Sequence, residues 1–247
     1  MMMTPAPAPV AALARVFGRF ARPPRSELLR ANHAHFEAFD QNRPLADYEF
    51  CVVDTELTGL SPASDEIVSI GAVRIRDLSI TADSFYTLVA PRGPVPKVAT
   101  MIHRITPGML RDAPRLREVF PDFLRFCGGA LVVGHNVGLD ISFLDRAARD
   151  ILGGRLRTPC IDTMRLAQVY QQELWENYYD QFDATVSYQL GHLCKNYGLP
   201  TFDQHNALYD AMQTAYLFLF LVKKLRSGGI NTLRDLYMAG RSWRWYL

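Results

Sequence analysis

Residues 50–59 read FCVVDTELTG. Phe50, Cys51, Val52 and Val53 form a short apolar run of the kind that suits a strand covered on both faces, which predicts a central strand. Side chains alternate along a strand, so Asp54 and Glu56 leave its carboxyl end on the same side. Two adjacent carboxylates repel, and a cation between them relieves the repulsion; for oxygen ligands of this kind the usual candidate is Mg²⁺ or Mn²⁺. An acid-x-acid triplet is also a common solvated strand end, and the rest of the chain has to decide between the two readings.

A turn follows at 60–65, then two alternating stretches, 67–75 (IVSIGAVRI) and 80–89, whose tight connection predicts an antiparallel hairpin or meander. Within 101–110, Thr106-Pro107 opens a short helix, because proline is tolerated in a first turn. An amphipathic helix at 118–127 is stopped by Gly128 and Gly129. A short apolar strand at 130–134 (ALVVG) precedes a helix running to Leu152, with Phe143, Leu144, Ala147, Ala148, Ile151 and Leu152 on its inner face and Gly153-Gly154 as its cap. A fifth strand is expected at 158–162 and a helix at 163–172. Residues 173–183, rich in acids and aromatics without a period, are read as an insertion loop. Helices at 187–197 and 207–226 complete a mixed α/β sheet with helices on its faces.

Asp140 lies near the amino end of its helix on the inward stripe, where a carboxylate either complements the helix dipole or binds a ligand. Asp210 sits one turn inside the apolar final helix and has to meet a cation or an arginine there. His205, in the polar loop just before that helix, hangs over the same cleft and suits a general base at neutral pH.

The ordered set Asp54-x-Glu56, Asn136-x-x-x-Asp140 and His205-x-x-x-x-Asp210 resembles the DEDDh class of 3'-to-5' exonucleases, the DnaQ-like group that includes the proofreading subunit of bacterial replicative polymerase. Ile102-His103-Arg104-Ile105-Thr106 and Gly134-His135-Asn136 add to the match. The resemblance implies an RNase H-like fold with a five-stranded mixed sheet flanked by helices. It implies that Asp54, Glu56, Asp140 and Asp210 hold two divalent ions, Mg²⁺ or Mn²⁺, and that His205 is the base. It further implies that Thr55, Leu57 and Thr58 meet the terminal nucleotide and that His103 and His135 lie near the cleft. The implied reaction is hydrolysis at a nucleic-acid 3' end, single-stranded DNA before RNA, releasing nucleoside 5'-monophosphates. An exoribonuclease, or a polymerase-associated scaffold with secondary catalysis, are the competing readings, and an arginine such as Arg104 is a candidate to track the backbone.

The chain has 247 residues, 49% of them hydrophobic, enough for one ample domain without staples. It divides into an extension at 1–46, partly disordered and then helical from Ser26, an exonuclease domain at 47–226, and an aromatic and basic tail at 227–247 carrying Trp243, Trp245 and Tyr246. Net charge is only +2, with the excess at the two ends, where a polymerase or other protein partner could attach. The first 26 residues contain no acid and four arginines, a pattern shared by transit peptides and surface helices, but the Pro/Ala-rich composition favours a plain tail. Cys51, Cys127, Cys160 and Cys194 form no CxxC pair and read as buried thiols. No apolar window is long enough for a membrane span, and the expected location is cytoplasmic.

Overall fold

The computed structural model describes residues 26–177 and 187–240. Helix α1 (Glu27–Glu37) precedes the sheet. The apolar run is the core of β1 (Phe50–Leu57), the middle strand of five. On one side β2 (Ile67–Arg76) and β3 (Ser79–Leu88) add as an antiparallel meander. Helices α2 (Lys97–His103) and α3 (Leu116–Cys127) then cross to β4 (Leu131–Gly134), and α4 (Gly138–Leu152) leads to β5 (Cys160–Asp162). These last two strands lie parallel to β1, an arrangement that needs crossover connections such as these helices provide, and the order is β3-β2-β1-β4-β5. Helices α5 (Thr163–Asn177), α6 (Leu190–Asn196), α7 (Ala207–Ser227) and α8 (Leu233–Gly240) follow. The mixed five-stranded α/β architecture expected from the sequence is the one observed.

Alternation along β1 divides the core in two. Phe50 and Val52 enter a cluster with residues of α5, α6, α7 and α8, while Cys51 and Val53 enter another with residues of α1, α3 and α4. All four are fully buried, and the Phe50 ring lies 4.9 Å from that of Phe218 on α7. Burial on both faces explains why this strand has no polar residue until its carboxyl end.

Two local expectations are corrected. The helix near 101–110 lies earlier, at Lys97–His103, where Ala99 and His103 share an inward stripe; Arg104 ends it in the left-handed conformation at φ 59°. After Thr106-Pro107 the chain only turns, with the Met109 amide bonded back to the Thr106 carbonyl. Residues 173–177, expected to begin an insertion loop, continue α5, consistent with a run free of glycine and proline. Residues 178–183 of that expected loop lie outside the described residues, as do 1–25 and the aromatic residues Trp243, Trp245 and Tyr246.

Both flanking segments pack into the domain. Leu29 of α1 is buried against the α3/α4 core. Leu45 donates its amide to the Asn231 carbonyl (3.2 Å), and the Arg234 amide reaches the Gln41 carbonyl (2.8 Å). Leu233, Leu236 and Tyr237 of α8 are buried in the α7 cluster. Leu236→Ala should therefore lower stability by about 2–5 kcal/mol in urea denaturation, as for other buried leucines. A wild-type midpoint would show that α8 does not belong to the cooperative core.

Candidate metal and nuclease site

Asp54 and Glu56 follow Phe50 and Val52 on the α7 face of β1, where that strand runs out of apolar neighbours. Asp210 comes to them from the first turn of α7. One carboxylate oxygen from each of the three lies within 4.8 Å of the others. This convergence depends on how closely α7 approaches the sheet. Gly71 pairs with Asp54 across β1 and β2, and a Cβ built on it would lie 2.1–2.3 Å from backbone atoms of Ala207 and Leu208. Only the absence of a side chain at Gly71 lets the helix start there. Asn206 caps the helix by accepting from the Leu208 and Tyr209 amides. His205 adopts φ 64° and donates its own amide to Asp210 Oδ2 at 2.7 Å, so the loop carrying the exposed imidazole is fastened to the carboxylate beside it.

Asp140 occupies the first turn of α4, buried, on the other side of β1. Pairing of β1 with β4 stops at Val52, and beyond it the Thr55 amide has no strand partner on that side. Asp140 Oδ1 takes that amide (2.9 Å) and the Thr55 hydroxyl (2.6 Å). Asp140 thus stands apart from the tight trio but close enough to act on it electrostatically.

The charges are mutually unfavourable. Burial, then Asp140, Asp210 and Glu56, push the Asp54 carboxyl well above the usual carboxylate range. Burial, then Asp210 and Asp140, push Glu56 up to about 7. Asp140 rises to about 6 through burial, even though Thr55 stabilises its charged form. Asp210 is raised by burial and held back by the His205 amide. Among the described residues no lysine or arginine forms an ion pair with any of the four. A set of hard oxygen donors with raised pKa values and no cationic side chain fits a divalent metal ion.

The profile of the exonuclease family (RNase_T) matches residues 51–218, a span that contains every one of these groups. The chain belongs to the exonuclease family. Among its curated relatives is the DNA polymerase III subunit epsilon of Aquifex aeolicus, 34% identical over 73% of this chain and 84% of that protein. The PolC-type DNA polymerase III of Caldanaerobacter subterraneus subsp. tengcongensis is 35% identical over 76% of this chain, but the match spans only 12% of that much longer protein. Among solved structures, Exonuclease X in complex with 5' overhanging duplex DNA superposes with a TM-score of 0.56 at 28% identity, covering 77% of this chain and 99% of that one. The chain shares the RNase H-like fold and the DnaQ-like nuclease class of these proteins.

Within this exonuclease fold the remaining expected residues have distinct placements. His103 is buried, and its Nδ1 accepts the Ile105 amide at 3.0 Å, which puts the proton of the neutral ring on Nε2. That Nε2 has no hydrogen-bond partner among the described residues, and burial pushes the ring below the usual imidazole range. His135 is committed to the protein: Nε2 donates to the Tyr188 carbonyl (2.8 Å) and Nδ1 accepts from Thr163 Oγ1 (2.9 Å). Thr55 is engaged with Asp140, and Leu57 rests on the α4-side core, opposite to Glu56. Thr58 Oγ1 accepts the Glu66 amide at 2.9 Å, closing the loop after β1.

Two residues were not anticipated. Gly71 was visible as a glycine inside an apolar strand, a common mark of close backbone approach. Asp162 ends β5, and its Oδ1 accepts the amides of Asn136 and Met164, both at 2.9 Å, while its charge helps raise Asp140. An aspartate directly before a helix was the available signal.

Gly71→Ala should cost about 3 kcal/mol, at the upper end of overpacking, and weaken Mn²⁺ binding because Asp210 moves with α7. Unchanged affinity would contradict the close approach as the device that places Asp210. In chelator, the raised carboxyls carry a definite sign. Glu56 binds its proton more tightly folded (about 7) than unfolded (4.5), so its contribution to stability is full below about 4.5 and is lost as pH rises through about 7. Urea denaturation of Glu56→Gln beside wild type should show the variant gaining relative stability from pH 5 to pH 8, with the difference shrinking when Mn²⁺ is added. A pH-independent difference would contradict the burial of Glu56 among like charges.

Proposed function

We propose that this chain is a 3'-to-5' exonuclease that removes nucleoside 5'-monophosphates from single-stranded DNA ends. The observation that carries this reading is the convergence of Asp54, Glu56 and Asp210 beside His205. Asp54, Glu56 and Asp210 would hold one Mg²⁺ or Mn²⁺, and Asp140 would serve a second together with Asp54. When bound, such ions supply Lewis-acid activation of water and stabilise the departing 3' oxygen.

The protein's own part is positioning and proton transfer. His205 is exposed on a loop fastened to Asp210, so its imidazole is free to take the proton of a water attacking the terminal phosphodiester. The buried Nε2–H of His103, which has no acceptor among the described residues, would turn to a phosphate or hydroxyl of the terminal nucleotide when substrate binds. His135, with both nitrogens engaged, orients the β4 end instead of meeting substrate. Similarity to a DNA polymerase III epsilon subunit and to an exonuclease solved with DNA supports DNA over RNA and is consistent with work beside a polymerase in the cytoplasm.

The test is degradation of 5'-labelled single-stranded DNA and RNA oligonucleotides of equal sequence, with Mn²⁺ or Mg²⁺ and with chelator. A metal-dependent ladder shortening from the 3' end, faster on DNA, is expected. Asp54→Ala and Asp210→Ala should abolish it while remaining folded, and His205→Ala should slow it by roughly 10²–10⁴. Activity in either aspartate variant would refute the site, and a ladder only on RNA would reassign the substrate.

A further inference from the structure

The loop that leaves the acids, residues 58–66, is braced from within. Asp65 accepts the Ser61 amide through Oδ2 (2.9 Å), and its own amide returns to the Ser61 carbonyl (2.8 Å). Thr58 and Glu66 close the base, the Thr58 amide on the Glu66 carbonyl and the Glu66 amide on Thr58 Oγ1, each at 2.9 Å. Gly59 lies against the Asp65 carboxylate so closely that a Cβ there would stand 2.5–2.7 Å from it. The loop begins two residues after Glu56, at an irregularity where Glu56 pairs with Ser69 but Leu57 pairs with Ile67, leaving Val68 over. Strand pairing is therefore interrupted next to Glu56, and beyond the Thr58–Glu66 pair the loop needs a further contact to fix it.

That fixing comes from α4. Arg146 Nη1 donates to the carbonyls of both Pro62 and Asp65, the latter at 2.9 Å, and its Nε lies 3.7 Å from Asp150. The side chain is only 20% exposed. A guanidinium spent on two carbonyls and faced by a carboxylate is poorly disposed to bind phosphate. It is well disposed to hold a loop, because its Nη1 alone joins two carbonyls three residues apart in the same turn. Asp140 lies on the same helix, so a single rigid element sets both Asp140 and the loop behind Glu56.

We infer that Arg146 is a positioning residue: by gripping Pro62 and Asp65 it keeps the end of β1 where Glu56 converges with Asp54 and Asp210. This inference rests on the exonuclease reading of the site. It names an effect of α4 on the metal-binding end of β1 beyond the acid that α4 carries itself.

The experiment compares the wild-type chain with Arg146→Met and Arg146→Lys, below the melting temperature of each. Methionine keeps the aliphatic packing in the cavity lined by Ile67, Phe143 and Ala147 but removes the donors. Three quantities are measured: Mn²⁺ affinity by calorimetry, amide exchange across residues 58–66, and kcat and KM on a 5'-labelled single-stranded oligonucleotide. Expected for Arg146→Met are faster exchange in the loop with α7 unchanged, weaker Mn²⁺ binding, and kcat/KM lower by roughly 10–100-fold, the scale of a small misplacement of reacting groups. Arg146→Lys, which retains a donor, should recover part of each. Wild-type Mn²⁺ affinity and wild-type kcat/KM in Arg146→Met, even with a lowered melting temperature, would overturn the inference. If wild type cleaves no oligonucleotide, the exonuclease reading fails, and the clamp is then judged by exchange and Mn²⁺ affinity, whose constancy would overturn it.

Discussion

Like charges gathered at one end of a buried strand are the constraint on which the structure turns. Asp54, Glu56 and Asp210 offer oxygens within 4.8 Å of one another, with Asp140 close behind and no basic side chain paired to any of them among the described residues. Such an arrangement opposes its own folding unless protons or metal ions neutralise it. The rest of the domain supplies the rigidity that keeps the carboxylates from splaying apart. β1 is buried on both faces, Phe50 and Phe218 lock it to α7, and Gly71 lets α7 begin directly on the sheet.

The supporting contacts share a common form: side chains satisfy backbone groups where regular pairing ends. Asp140 takes the Thr55 amide where β4 no longer reaches β1. Asp162 takes two amides where β4 and β5 end. Asp210 takes the amide of His205. Asp140, Asp162 and Asp210 thus each have a backbone bond that fixes their direction. Those bonds also partly favour the ionised state that a metal ion would require.

Much of this was legible in the chain itself. The uninterrupted apolar stretch before Asp54 announced a strand covered on both sides, and the inward spacing of Asp140 and Asp210 on their helices announced acids facing a sheet. Less legible were features that depend on where two distant segments meet. Arg104 ending a helix in the left-handed conformation, and the turn rather than helix at Thr106-Pro107, follow from packing of Ile105 and Leu110 on Val68, which no local pattern encodes. Nor does residue type distinguish His103, with a buried ring nitrogen left over, from His135, whose two nitrogens are both consumed. The partners of the segment that carries α8, Leu45 for Asn231 and Gln41 for Arg234, were not legible because they lie nearly two hundred residues away.

The measurement that bears most directly on this reading is anomalous diffraction from crystals of the chain soaked in Mn²⁺. The expected result is a peak coordinated by Asp54, Glu56 and Asp210, with any second peak on the Asp140 side of Asp54. Mn²⁺ bound elsewhere, or no peak among these carboxylates at saturating metal, would contradict the claim that the converging acids form a metal centre.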